Sequence, residues 1–420
     1  MHLPLVRSRH RASGSACCHN HFVNSKPLDG ILVVDLSRYL PGPLTAKMLA
    51  NLGARVIKIE EPEFGDPVRQ APPMVGGTSA LGRLLLSGVE SVALDLKQDA
   101  AREVLHVLIK AADVLLESFR PGKLAGFGFA EEDLARAFPR LVVCSLSGWG
   151  QSGPMKDRTG HDLTYQAAAG TLAATADVPN LPAADLLGAF AAVSAVTAAL
   201  LARATSGRGS MIDASLFDAA MVGNLTGVAA AEAGVGRGGE VGCATGLTGA
   251  YPCYRLYDTA DGRRFALAAL EPRFWKKLCR AVERQDLVSL QYRREADSHR
   301  PLEELFRSRS ASEWGELCRQ HDLPGEVVLG VAEAARSEQA LAREIGQRRG
   351  RLPFPALIDA ERPAAEGEFP ALGAHTQAVL EEFCGDVSRQ RRRRLRAAGI
   401  GRRFTLRQLV GNWVAARFSQ

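Results

Sequence analysis

The chain has 420 residues, 46% hydrophobic and 23% charged, which is ordinary globular composition with length for two domains or one large one. No apolar run reaches the roughly 20 residues that a membrane helix needs; the longest, about Ala189 to Ala202, is Ala-rich and broken by Ser and Thr, so it reads as a buried helix. The net charge of +6 is concentrated at the two ends, so the middle carries no nucleic-acid footprint, and a polyanionic small molecule needs only a few local cations.

Residues 1–26 are basic (Arg7, Arg9, Arg11, Lys26) and lack an apolar core, so they are not a secretory signal and are expected to form a disordered leader. Cys17-Cys18-His19 with His21 resembles a metal tract, but adjacent ligands suit zinc poorly, and no metal site is expected. Gly30 to Leu36 reads as a short buried strand, Pro41-Gly42-Pro43 as a break, Leu44 to Leu52 as a helix stopped at Gly53, and Arg55 to Glu60 as a second strand. This β-α-β unit implies parallel strands. The alternation continues: strand Ser91–Leu96, helix Gln98–Ala112, strand Val114–Glu117, helix Glu131–Phe138, strand Leu141–Leu146. Such a run predicts a doubly wound, Rossmann-like α/β domain, yet the first turn has no GxGxxG, so a dinucleotide has little support.

Two Ala-rich helices follow, about Leu163–Thr175 and Asp185–Thr205, then a strand over Met211–Ser215 and a helix from Leu216. A Gly-rich linker, 234–249, leads to strands near Tyr251–Tyr257 and Phe265–Leu270 and helices near Pro272–Glu283, Leu302–Arg307 and Ala311–His321. The organisation expected is a large α/β domain over 27–230, a linker and small α+β domain over 231–330, and a C-terminal return over 331–420. That return holds a Pro/Ala-rich loop at 360–374 and ends in a tail with Arg389, Arg391 to Arg394, Arg396, Arg402 and Arg403. The eight Cys are scattered without a CxxC pair, which reads as reduced thiols in a cytoplasmic compartment.

Several segments, in this order and spacing, resemble the family III CoA-transferases, a group that includes formyl-CoA transferase and α-methylacyl-CoA racemase. They are Pro27-Leu28-Asp29-Gly30 with Pro41-Gly42-Pro43, then Gly53 to Glu60 with Gly65-Asp66, and Leu94-Asp95-Leu96-Lys97. Further on come Phe119-Arg120-Pro121-Gly122, Ser147-Gly148-Trp149-Gly150-Gln151, Thr205 to Gly209, and Gly373 with His375-Thr376. The resemblance implies an interlocked homodimer, acyl-CoA and carboxylic acid substrates, no bound cofactor, and coenzyme A present only as the substrate thioester.

By resemblance Asp185 is the catalytic acid. In a transferase this carboxylate attacks the thioester, and an aspartyl anhydride and then an aspartyl-CoA thioester follow; an Asp ionised at pH 7 suits that role. At a helix start it equally suits an N-cap. Gly160-His161-Asp162 matches the racemase branch, where His161 and Asp185 are two bases flanking the α-carbon, and Glu271, before Pro272, is implied beside that His. A capping role for Asp162, a structural role for His161 and a first-turn role for Glu271 are the plain alternatives.

Gly148, Gly150 and Gln151 form a glycine-rich loop whose amides suit a thioester oxyanion, although a tight turn explains the glycines equally well. The resemblance puts cations around the CoA phosphates; here Val89-Glu90 and Gly126 stand where the family carries them, leaving Arg69, Lys97 and Arg120 as candidates. Three functions remain open: CoA transfer, 2-methylacyl-CoA racemisation, and an inactive subunit of a heteromeric enzyme.

Overall fold

The structure, a computed structural model, describes residues 26–173, 178–234, 246–346 and 350–385. The basic leader up to residue 25, Cys17-Cys18-His19 with His21, most of the Gly-rich linker and the Arg-rich tail lie outside the described residues.

Six parallel strands form the main sheet: β1 (Leu32–Asp35), β2 (Arg55–Glu60), β3 (Glu90–Ala93), β4 (Val114–Glu117), β5 (Val142–Ser147) and β6 (Met211–Ser215). Their spatial order is β3-β2-β1-β4-β5-β6. This is the doubly wound order, and it reverses direction between β1 and β4. The central strands are buried on both faces, which is why they read as runs of Val, Ile and Leu without alternation.

Alternate side chains feed two cores. Val33, Val56, Val114, Val142, Cys144 and Leu146 face helices α1 (Pro41–Asn51) and, further on, the long Ala-rich helix over 183–206. Val34, Ile57, Ile59, Leu115 and Val143 face α2 (Asp99–Ala111) and the C-terminal helix over 376–384. α1 begins three residues before its expected start, at Pro41 itself. A proline in the first helical turn gives up an amide that has no partner there in any case, so Pro41-Gly42-Pro43 opens the helix where a break was expected.

The first Ala-rich helix, α3 (Asp162–Ala168), is shorter than the sequence suggested; the second, α4 (Ala183–Ser206), is, among the described residues, the one helix long and apolar enough to cross a membrane. Ala184, Gly188, Ala189, Ala192, Val193 and Val196 bury one side of α4 in the sheet's core, so it is a packed helix of the domain. Helix α5 (Leu216–Gly223) packs across it.

A separate antiparallel sheet joins β7 (Tyr254–Asp258), β8 (Arg264–Ala268) and β9 (Gly325–Val327), with β8 central. Its own core is aromatic. Tyr257 stacks on Phe306 at 4.4 Å, and the buried Trp275 and Trp314 indoles donate to the carbonyls of Leu287 and Phe306 at 3.1 and 2.9 Å. Helices α6 (Pro272–Ala281), α7 (Ala296–Phe306) and α8 (Ala311–Gln320) cover it; α7 begins six residues before the expected Leu302.

Residues 350–385 return to the main sheet. Asn51 bonds Leu352 and Ala365, and the outward amides of edge strand β3 are accepted by His375 Nδ1 (from Ser91, 3.1 Å) and Thr376 Oγ1 (from Ala93, 2.9 Å). The Gly373–His375–Thr376 motif therefore covers a sheet edge that would otherwise offer unpaired amides, before α9 (Thr376–Cys384) packs on α2 and β3.

Candidate active site

In a parallel sheet every segment leaving a strand emerges at the same end, and ligands of this fold bind where the strand order reverses. Here that is the gap beyond Asp35 and Glu117, the ends of β1 and β4. Arg38 and Tyr39 follow β1, Arg120 follows β4, and Gly148 to Gln151 follow β5. The backbone amide of Arg38 donates to Ser118 Oγ at 2.8 Å and ties the two loops together. Glu117 accepts the Phe119 amide at 2.6 Å and so fixes the loop carrying Arg120. Burial pushes its own carboxyl up to about 7, against a hydrogen bond from Ser145.

Asp162 and Asp185 meet at this end of the sheet. Asp162 opens α3, but its carboxylate reaches the next long helix: Oδ1 accepts the amides of Ala184 and Asp185 at 2.8 and 3.1 Å, and Oδ2 accepts Gln166 Nε2 at 2.7 Å. Asp162 thus caps α4, not its own helix. Asp185 sits in the first turn of α4, behind Pro182, and is relieved of capping. Half-buried, its carboxylate accepts no hydrogen bond among the described residues. Burial first, and then the charge of Asp162, push it up to about 7, so it is only part-ionised at neutral pH, in contrast to the full ionisation expected from the sequence.

His161 stands at the N-terminus of α3. Its backbone is held by Thr164, whose Oγ1 accepts the His161 amide at 3.0 Å and donates to the His161 carbonyl at 2.7 Å. The imidazole is exposed, makes no hydrogen bond among the described residues, and lies 6.2 Å from the Tyr39 ring, edge to face.

One turn on, Tyr165 is buried, with its ring 4.9 Å from Trp149. A side chain at Gly148 would meet its hydroxyl at 2.2 Å, and one at Gly160 its ring at 2.5 Å. Both glycines make room for this ring. Burial first, then the Asp185 charge, push the phenol up to about 12, while Arg120 draws it back, so it is a neutral hydroxyl beside the acid pair.

The other candidates divide into groups committed to the fold and groups left exposed. In the Gly148–Gln151 loop the Gln151 amide donates to Asp213 at 2.9 and 3.0 Å, the Gly148 carbonyl accepts the Phe217 amide at 3.0 Å, and Gly150 is a tight turn at φ +85°. Arg69 is committed to Glu60 through two 2.7 Å bonds and to the Pro370 carbonyl, so it offers no cation to a phosphate. Glu90 begins β3 at the opposite end of the sheet, paired with Arg55, so the substitution there does not touch the crevice. Glu271 lies before α6 on the separate antiparallel sheet, exposed, and among the described residues nothing joins it to His161. Lys97 and Arg120 remain exposed at the carboxyl end, joined by Arg38 and Lys123, which the sequence reading passed over.

The match to known proteins now has a site to refer to. Residues 28–376 match the family model for CoA-transferase family III. The chain belongs to that family. Among its relatives are the acetyl-CoA:oxalate CoA-transferase of Acetobacter aceti, 32% identical over 386 residues (85% of this chain, 96% of that one), and the human alpha-methylacyl-CoA racemase, 31% identical over 377 residues (85% and 93%). A solved CAIB/BAIF family protein from Brucella suis superposes with a TM-score of 0.74 at 27% identity, covering 86% of this chain and all of that one. The α/β architecture and an enzyme acting on acyl-CoA thioesters follow from membership; transferases and a racemase stand among the relatives at similar identity.

Proposed function

We propose that this family III enzyme transfers CoA between carboxylic acids with Asp185 as the nucleophile. The observation that carries the reading is the division of labour between two acids. Asp162 caps α4, leaving Asp185 uncapping, half-buried and aimed at no partner. The ionised Asp185 carboxylate attacks the thioester carbonyl and expels CoA thiolate, leaving an aspartyl–acyl anhydride. The thiolate then attacks the aspartyl carbonyl; the donor acid leaves as a carboxylate and an aspartyl-CoA thioester remains. An acceptor carboxylate reverses the two steps and carries CoA away. Arg38, Lys97, Arg120 and Lys123 are exposed cations on this side for the CoA phosphates, and Tyr165 offers a neutral hydroxyl beside the acids.

A second reading, 2-methylacyl-CoA racemisation, is favoured by the exposed His161 next to Asp162 and by an Asp185 tuned near neutrality, which suits acid–base work. A homodimer accords with the exposed Leu187, Phe190 and Leu201 on α4, and a reducing, cytoplasmic setting with the buried thiols of Cys144, Cys253, Cys279 and Cys318.

The deciding experiment supplies a panel of acyl-CoA donors and acids, with hydroxylamine trapping and, in parallel, α-proton exchange of 2-methylacyl-CoA in deuterated water. Transfer predicts a hydroxylamine-sensitive adduct on Asp185 and loss of turnover by on the order of 10⁴-fold in Asp185→Ala. Exchange that depends on His161, without an adduct, replaces it with the racemase. Neither signal leaves the inactive subunit.

A further inference from the structure

The loop after β1 holds a feature that neither proposed reaction has used. Tyr39 has φ +68°, a left-handed backbone that bulky L-residues avoid, and its ring is 54% exposed. Such a conformation is strained and persists only where its surroundings force it.

Those surroundings are unusually complete. The Tyr39 amide donates to Asp66 Oδ1 at 3.1 Å, and the preceding Arg38 amide to Ser118. Ser37 is locked onto Asp35 through its amide and its hydroxyl, and Gly42 is glycine because a side chain there would meet Ser37 at 2.2 Å. α1 starts at once, at Pro41. Beneath the loop lies a buried ion cluster: Lys58 Nζ contacts Asp35 at 3.1 Å, Asp66 at 3.0 Å and the Ser37 carbonyl at 2.8 Å. Burial alone favours the neutral amine, but Asp35, Asp66 and Glu60 outweigh it and hold Lys58 charged. Glu60 Oε1, itself held by Arg69, accepts the Asp66 amide at 3.0 Å. The Val56–Glu60 motif that carried much of the family resemblance thus builds the platform for Tyr39.

A buried lattice of this size, supporting one strained and solvent-facing residue, is not needed to fold a β-α turn. The ring it presents ends against His161, across the crevice between β1 and β4. We propose that Tyr39 is a positioning residue: its ring fixes the orientation of the His161 imidazole. Edge-to-face aromatic pairs supply such a preference without a hydrogen bond, which leaves both imidazole nitrogens available. The proposal rests on the racemase reading, in which His161 and Asp185 are the two bases.

The test uses Tyr39→Gly, Tyr39→Leu and Tyr39→Phe in the full chain. Glycine accepts φ +68° without strain, so Tyr39→Gly keeps or raises the thermal midpoint. Transfer and α-proton exchange are measured in each variant, and the His161 ring signals are followed by NMR, assigned with His161→Gln. Expected are a fall in the kcat of α-proton exchange of about ten- to a hundred-fold in the Gly and Leu variants with a smaller change in KM, displaced His161 signals, and Tyr39→Phe within about twofold of wild type. A wild-type exchange kcat in Tyr39→Gly, or His161 signals that do not move, overturns the proposal. If the unmodified protein does not exchange, the racemase reading has failed, and the NMR comparison alone then decides Tyr39: moved signals support its contact with His161 and unmoved ones overturn it.

Discussion

The two ends of the parallel sheet are built from the same residue types and treat them oppositely. At the amino end the arginines nearest the strand starts are paired with carboxylates. Arg203, almost fully buried, bonds Asp113 at 2.8 Å and the Arg140 carbonyl at 3.1 Å, while the other oxygen of Asp113 accepts the Leu32 amide, so one arginine draws together the starts of β1, β4 and β5. Arg55 is shared between Glu90 and Glu382. At the carboxyl end Arg38 and Arg120 have no acidic partner among the described residues, Asp185 is pressed against a like charge, and Tyr39 is strained. The unpaired and strained groups gather at the carboxyl end, above the paired Lys58 cluster; a doubly wound fold permits this because its helices return every connection to the amino end before the next strand begins.

The largest effect that tests this contrast on the stability side is Arg203→Met. It leaves Asp113 and two carbonyls without their donor and should destabilise by about 3 kcal/mol, read by chemical denaturation. The kcat/KM of the folded fraction should stay at the wild-type value. A loss of activity without a loss of stability would erase the distinction between the ends.

The opposite behaviour is expected of Asp185→Asn, which should abolish transfer while making the protein more stable. The sign follows from linkage. The folded-state pKa is raised from 3.8 to about 7, so between those values the native state binds more protons than the unfolded one, and stability falls as pH rises. The penalty is absent below the unfolded value and complete above the folded one. A shift of about three units is worth at most roughly 4 kcal/mol at about 1.36 kcal/mol per unit, and partial solvent access reduces it to about 1–2 kcal/mol. Denaturation midpoints at pH 4 and pH 8 measure this: Asp185→Asn should match wild type at the first and exceed it at the second.

Much of this was legible in the sequence, and the remainder has a common cause. β2 and β4 lie where their apolar runs placed them, because strands buried on both faces leave a largely apolar signal, and edge strand β6 keeps its expected bounds without such burial. Asp185 and His161 were named from motifs and do lie at one end of the sheet. What local pattern does not carry is who pairs with whom. Asp162 caps a helix more than twenty residues away, Arg69 turns inward to Glu60, and Gly148 is glycine for the sake of Tyr165. Each is a tertiary contact between segments that look self-sufficient. Tyr39 was hidden for a different reason: a left-handed tyrosine has no sequence signature, since glycine or asparagine is what that backbone leads one to expect.

A subtler change asks whether the like-charge contact at the carboxyl end sets the working pH. Asp162→Asn keeps an oxygen to accept the Ala184 and Asp185 amides, so the cap survives, but it removes the second cause of the raised Asp185 pKa. The acid limb of the pH–rate profile should move to lower pH by roughly half a unit to a unit, with Tm nearly unchanged. An unmoved limb would mean that burial alone holds Asp185 near neutrality.

The smallest effect concerns the cation that the family pattern puts at position 126. Gly126 is exposed on the short turn after Arg120-Pro121-Gly122, and a side chain there meets nothing within 4 Å. Gly126→Arg therefore adds a charge to the carboxyl end without a steric cost. An exposed ion pair of this kind is worth less than about 1 kcal/mol, so CoA should bind about two- to fivefold more tightly at low salt, with the gain lost as ionic strength rises. Titration calorimetry with free CoA at two salt concentrations reads it directly. A salt-dependent gain places the CoA phosphates over the turn that follows β4, whereas no gain at either salt moves them toward Arg38 and Lys97, the cations after β1 and β3.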